Sequence, residues 1–216
     1  MAIEGYVGRP GSGKSYTLTE RAIRARDRGK PVFANYSIDG CFTFTPDQLL
    51  DLPPGLIIID EAHLWFSARK AMQLPASLLA GWSQTRKNGW DVLWSTQHQN
   101  RIDRAILDVS DWVWVCSSWF HGSGHPMLFR AECYEPENIR YKKSRQVQTW
   151  KFFNSKVASS YNTMERLSFA DYMIDPKDRY ASSSKRVQDY YLPKNNFLVP
   201  AVVDNLEVSF LGGKGD

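Results

Sequence analysis

The chain has 216 residues, a net charge of +4 and 43% hydrophobic residues. That length suffices for one α/β domain with a sizeable core and a modest C-terminal extension. The charge is too mild to mark a nucleic-acid protein by itself, and no apolar run approaches the roughly 20 residues of a membrane span.

In chain order, Ile3–Val7 reads as a short apolar strand that runs into a Gly-rich loop, with no basic and apolar leader ahead of it. Residues 14–28 read as a helix with a basic outer face, stopped by Gly29. A second strand is expected at 31–36, and Pro46, Asp47 and Gln48 look like a helix start. Residues 56–59 are wholly apolar, as in a central parallel strand buried on both faces. A helix at 74–87, a strand at 90–95, a helix at 101–109 and a strand at 112–116 follow, and 127–133 adds an edge strand. Strands that alternate with helices imply βαβ units around a mostly parallel sheet. Beyond about Tyr134 the pattern degrades. Residues 140–151 are basic without clear periodicity, and 175–196 read as an extended or mobile tail. The expected division is one α/β domain over 1–165 and an extension over 166–216. Cys41, Cys116 and Cys133 are odd in number and form no CxxC pair or zinc cluster, which fits a reduced, cytosolic setting.

Gly8-Arg9-Pro10-Gly11-Ser12-Gly13-Lys14-Ser15 satisfies GxxxxGK[ST], the Walker A pattern, between a strand and a helix. The glycines let the backbone curl so that its N–H groups point at phosphate oxygens. The helix that begins there adds its positive end. Lys14 is placed for the β- and γ-phosphates of ATP and Ser15 for Mg²⁺, and the expected nucleotide-binding run extends through Tyr16. The strand at 56–59 ends in Asp60 and Glu61, a Walker B pair. Asp60 is expected in the magnesium shell, and Glu61 as the acceptor of a proton from the attacking water. Asp60-Glu61-Ala62-His63 also spells the tetrad of DEAH helicases. Those enzymes need two tandem RecA-like domains, and this chain has room for one, so His63 reads as a packing or turn residue. The strand at 90–95 ends in Thr96 and Gln97, and a Gln there can contact the γ-phosphate or the attacking water. Together these motifs imply a RecA-like P-loop NTPase with a central, mostly parallel sheet flanked by helices.

The phosphate loop, the IIIDEAHLWF segment and the SQTRKNGWDVLWSTQ segment resemble the Zot-type ATPases of the FtsK–HerA superfamily. Arg86 to Asp91 is similar to the corresponding stretch of zonular-occludens-toxin-like proteins, and Tyr161-Asn162-Thr163 resembles a segment after their ATPase core. Filamentous-phage members carry a membrane helix after the ATPase domain, and this sequence departs from that pattern. In form it looks like the genome-packaging ATPases of internal-membrane icosahedral viruses. The resemblance implies an ATPase that moves double-stranded DNA into a preformed capsid. It also implies a homo-oligomeric ring, a hexamer by family, that works in the host cytoplasm and at the packaging vertex with capsid proteins. The alternative is a Zot-like factor that drives extrusion of a filamentous virion, and a third reading is a nucleotide-gated binding module with little turnover.

Ring ATPases of this kind place an arginine from the neighbouring subunit against the γ-phosphate. Arg69, Arg86, Arg101 and Arg104 are candidates, with Arg86 favoured by its place in the best-matching segment. Trp65, Trp82, Trp90, Trp94, Trp112 and Trp114 read as core or interface. Trp119-Phe120-His121 before Gly122-Ser123-Gly124 fits either a pore or DNA-facing loop or a plain hairpin turn. Lys142, Lys143 and Arg145 fit either a basic ring lumen or a solvated basic face.

Overall fold

The computed structural model describes residues 2–67, 81–82, 84–122, 125–141 and 144–162. Eight strands make one sheet: β1 Ile3–Val7, β2 Val32–Ala34, β3 Phe42–Thr43, β4 Gly55–Ile59, β5 Trp90–Thr96, β6 Trp112–Gly122, β7 His125–Tyr134 and β8 Val147–Phe152. The helices are α1 Lys14–Arg26, α2 Thr85–Asn88, α3 Arg104–Asp108 and α4 Ser155–Ser159. Strand order is β3-β2-β4-β5-β1-β6-β7-β8. Pairing is parallel from β3 through β6 and antiparallel from β6 through β8. The fold is α/β with a mostly parallel sheet, and β4, β5 and β1 lie side by side at its centre.

Two apolar layers sandwich the parallel strands. On one side Leu18 and Ala22 of α1 pack with Tyr6, Ile58 and Leu93. On the other, Ile57, Ile59, Val92 and Trp94 meet Phe66, Trp82 and Ile106. All five residues of β4 are buried, as a strand covered on both faces must be. Arg21 of α1 donates to both carboxylate oxygens of Glu4 in β1, at 2.6 and 2.8 Å, and Trp114 Nε1 of β6 donates to Glu4 at 2.7 Å. The partners satisfy a carboxylate that would be costly to bury alone, and they fix α1 over β1 and β6. The helix ends in a Schellman turn. Gly29 at φ +76° donates to Arg26 O at 2.8 Å, and Lys30 N donates to Ala25 O at 3.0 Å.

Several boundaries differ from the sequence reading. The strand expected at 31–36 contracts to β2, and the helix expected at 101–109 divides into a 3-10 turn, Gln99–Arg101, and α3. Asp103 causes that division by capping α3, its carboxylate accepting from Ala105 N at 2.8 Å. The helix started by Pro46 is a 3-10 turn, Pro46–Asp51, closed by a capping box between Thr45 and Gln48. The strand at 127–133 is not an edge, because β8 lies outside it. The 74–87 helix is described only in part, through residues 81–82, 84 and α2. Among the described residues no helix is long and apolar enough to cross a membrane, and the three cysteines are free. The expected 166–216 extension, Arg69, Ser123, Gly124, Lys142, Lys143 and Thr163 lie outside the described residues.

Candidate nucleotide site

The parallel strands β1, β4 and β5 end at one edge of the sheet, where open α/β sheets bind ligands. The loop from Gly8 to Ser15 leaves β1 there and turns into α1. Gly13 caps the helix with φ +85°, and a Cβ on it would meet the Phe129 ring at 2.3 Å. Gly13 is therefore required twice, by its left-handed backbone and by the close approach of β7. Lys14 is buried, and its ammonium donates to the carbonyls of Gly8 at 2.9 Å and Arg9 at 3.3 Å. The Ser12 hydroxyl is buried and has no hydrogen-bond partner among the described residues. Such a donor suits an anion entering the loop.

The loop and the acidic pair meet. Ser15 Oγ donates to Asp60 Oδ2 at 2.5 Å, across 45 residues of sequence. Hydroxyl and carboxylate oxygens are the donor set for Mg²⁺, so these residues fit that ion. Asp60 is held by neighbours that the sequence reading did not single out. Asn35, just past β2, donates to Asp60 O at 2.9 Å and accepts from Asp60 N at 2.7 Å. The Ser95 hydroxyl donates to Asp60 Oδ1 and accepts from Glu61 N at 3.1 Å.

Glu61 stands in the left-handed region, at φ 49° and ψ 44°. A non-glycine residue adopts that conformation at a cost of about 1 kcal/mol or more, and it is found where surroundings impose it. Its backbone N–H is tied to Asp60 Oδ1 at 3.1 Å as well as to Ser95. Its carboxylate faces Gln97 Nε2 at 3.5 Å and His63 Nδ1 at 3.2 Å. Arg101 Nη1 donates to Gln97 Oε1 at 2.6 Å, which turns the amide nitrogen of Gln97 toward Glu61. Burial pushes the Glu61 carboxyl above the usual value and the Asp60 charge adds to this, while Lys14, Gln97 and Arg101 pull it back. Burial lowers the His63 pKa, helped by Arg101 and Lys14 and opposed by Asp60. The lowered pKa favours the neutral imidazole, whose Nδ1 also lies 3.3 Å from the Thr96 hydroxyl.

Lys14, Ser15, Asp60, Glu61 and Gln97 are thus brought together. Tyr16 follows in the first turn of α1. Its ring is buried and stacked on Phe129 at 4.5 Å and Phe153 at 6.0 Å, and its hydroxyl accepts from Asn154 N at 2.8 Å. Packing takes its side chain, which leaves only its backbone for a nucleotide. Arg104 pairs with Asp108 on α3 at 2.7 Å. Arg86 lies in α2, and its side chain is outside the described set. Asn35, His63 and Arg101 are the site residues whose local roles the sequence concealed. The one available signal was Asn35, a polar residue closing a buried apolar strand.

The family model described as zonular occludens toxin (Zot) matches residues 43–119, which span the acidic pair and Gln97. The fold matches the N-terminal domain of zonular occludens toxin from Neisseria meningitidis with a TM-score of 0.55 and 16% identity, over 74% of this chain and 98% of that one. The chain resembles Zot. Beside this Zot-like likeness stands the genome packaging NTPase B204 from Sulfolobus turreted icosahedral virus 2, in complex with ATP-gammaS. It matches with a TM-score of 0.51 and 13% identity over 71% of this chain and 98% of that one. B204, the DNA-packaging ATPase from Sulfolobus turreted icosahedral virus, matches with the same score, identity and coverage. No curated protein matches the sequence. At these identities the Zot-like likeness is one of fold, and it establishes the P-loop NTPase architecture. The phosphate loop lies outside the matched Zot segment, so it is the structure that joins the loop to the acidic pair.

Proposed function

We propose that the chain is an ATP-driven, magnesium-dependent motor that packages a viral genome by moving double-stranded DNA into a preformed capsid. The observation that carries the enzymatic part is the meeting of Ser15 with Asp60 beside a Glu61 flanked by Gln97 and His63. The Gly8–Ser15 loop binds the phosphates through its amides, Lys14 supplies a cation to the β- and γ-phosphates, and Ser15 and Asp60 hold the metal. Bound Mg²⁺ neutralises phosphate charge. Glu61 accepts the proton of the attacking water, and Gln97, steadied by Arg101, orients that water or senses the γ-phosphate. Packaging is supported by the likeness to B204. The partners in this reading are double-stranded DNA, further copies of the chain in a ring, and capsid proteins at the vertex, with the host cytoplasm as the place of action.

The Zot match favours a second reading, an ATPase that drives extrusion of a filamentous virion. ATP turnover measured with and without double-stranded DNA separates them. Stimulation by duplex supports packaging, and turnover indifferent to DNA supports extrusion. Nucleotide binding without turnover leaves a gated binding module. Within either motor reading, Glu61→Gln is expected to keep nucleotide binding and to lower turnover by about 100-fold or more, since it deletes the proton acceptor and leaves the metal ligands. Turnover at the wild-type rate would require another base.

A further inference from the structure

The antiparallel strands β6, β7 and β8 have one covered face and one open face. On the covered face Phe129 packs on Tyr16, and the Lys151 ammonium donates to Glu20 of α1. On the other, the register sets Trp119, Leu128 and Phe152 in one row across the three strands, and Ser117, Arg130 and Trp150 in the next. Residues directly opposite share a face. Trp119 is 45% exposed, Trp150 49% and Phe152 82%. The Arg130 guanidinium lies between the two indoles, 5.4 Å from the centroid of Trp119 and 5.6 Å from that of Trp150. Ser117 Oγ accepts from its Nε at 3.2 Å. Three strands and a two-residue step make this patch about 10 by 7 Å.

Flat groups this exposed are not explained by the core of the domain. The chain leading into β8 supplies positive charge with Arg140 and Arg145, and no acidic residue lies between 140 and 151. Glu132, the carboxylate on the same face, is already matched by Arg145 at 3.0 Å and Arg130 at 3.8 Å. Indole, phenyl and guanidinium faces bordered by cations suit an unpaired nucleobase with its phosphate, because every base has a π-face to stack. A duplex keeps those faces inside its own stack. We propose that the open face of β6, β7 and β8 binds single-stranded nucleic acid, with Trp119, Arg130, Trp150 and Phe152 as the stacking surface. The face is distinct from the nucleotide site, and the proposal stands or falls independently of the packaging reading.

The test uses the full chain, without nucleotide, and a labelled oligothymidylate about 20 nucleotides long, enough to span a stacking site of this kind. The oligonucleotide is expected to bind and to quench tryptophan fluorescence, and an unlabelled duplex of equal length to compete poorly. Trp119→Ala, Trp150→Ala and Phe152→Ala should each weaken binding roughly 5- to 100-fold. Arg130→Lys, which keeps the charge and removes the flat face, should weaken it as well. ATP binding by the same variants reports that they fold. Three results would overturn the proposal: no binding by the wild type, equal binding by the Trp119→Ala/Trp150→Ala double variant, or a duplex that competes as well as the single strand. Loss of self-association in the double variant, with no oligonucleotide binding by the wild type, would make the face a protein contact and overturn it too.

Discussion

Glu61 carries two burdens, a left-handed backbone and a half-buried charge. Burial, then the neighbouring Asp60, raises its carboxyl above the ordinary value. The sign of the linkage follows. A carboxyl whose folded pKa exceeds its unfolded pKa of about 4.3 binds its proton more tightly in the fold, so ionisation costs stability at every pH above the folded value. The cost is complete above that value, shrinks as pH falls below it, and is gone below the unfolded pKa. Glu61→Gln removes the ionisation and keeps the size and shape of the side chain. The variant is therefore expected to melt at a higher temperature than the wild type near neutral pH, with the gap closing in acid. Thermal melts of both proteins across pH check this, and a gap that stays constant with pH would contradict the burial argument. The residues of this site that were legible in sequence are those whose chemistry is tied to a local pattern: Lys14 and Ser15 after a glycine loop, Asp60 and Glu61 after an apolar strand, Gln97 at the end of another. His63 and Arg101 act through contacts made only when separate segments meet, so no local pattern marks their roles, and Asn35 shows only as a polar residue closing an apolar strand.

At the scale of elements, the antiparallel extension buttresses the phosphate loop. Strand β6 continues seven residues beyond Val115, the partner of Val7, and so rises past the end of β1 on the side where the loop begins. From β7, Phe129 reaches back to Tyr16 in the first turn of α1 and to the surface of Gly13. Phe129→Ala opens a cavity at that contact and is expected to cost about 3 kcal/mol. It should also weaken nucleotide binding, because the loop loses the ring it rests on. Leu128→Ala, on the opposite face of the same strand, should leave nucleotide affinity unchanged. Urea melts together with titration of a non-hydrolysable ATP analogue distinguish the two, and equal nucleotide affinity in both variants would remove β7 from any role in the site. This extension is also where sequence reading ran short. Buried strands such as β4 announce themselves by a continuous apolar run. Strand β8 is an edge strand with partial exposure on both faces, so its apolar residues follow neither a run nor a clean alternation. The parallel core was legible because burial on both faces constrains composition, and the edge was not because solvent permits almost anything there.

At the scale of the whole molecule, the proposed packaging motor, with one phosphate site per domain, would have to release its polymer between strokes, and a ring would let some copies hold while others reset. Cyclic symmetry makes each interface heterologous, as an arginine donated from one copy to the next copy's site requires. Arg101 is already engaged in its own chain, donating to Gln97, which faces Glu61. It is expected to act in cis. Arg86 lies in α2, just ahead of β5, and is the candidate for action in trans. Mixed assemblies separate the two roles. In rings made from Arg86→Ala and Glu61→Gln chains, a site that keeps Glu61 can receive Arg86 from an adjacent Glu61→Gln chain, so activity should return in part. In rings made from Arg101→Ala and Glu61→Gln chains, every site that keeps Glu61 lacks Arg101 in the same chain, so no activity should return. Turnover is measured across mixing ratios, with mixing itself verified by two distinguishable tags. A rise with mixing for the Arg86 pair alone supports Arg86 in trans and Arg101 in cis. A rise for the Arg101 pair alone would exchange the two assignments and place the Gln97 contact outside the catalytic cycle. No rise for either pair in verified mixed rings would mean that neither arginine crosses the interface.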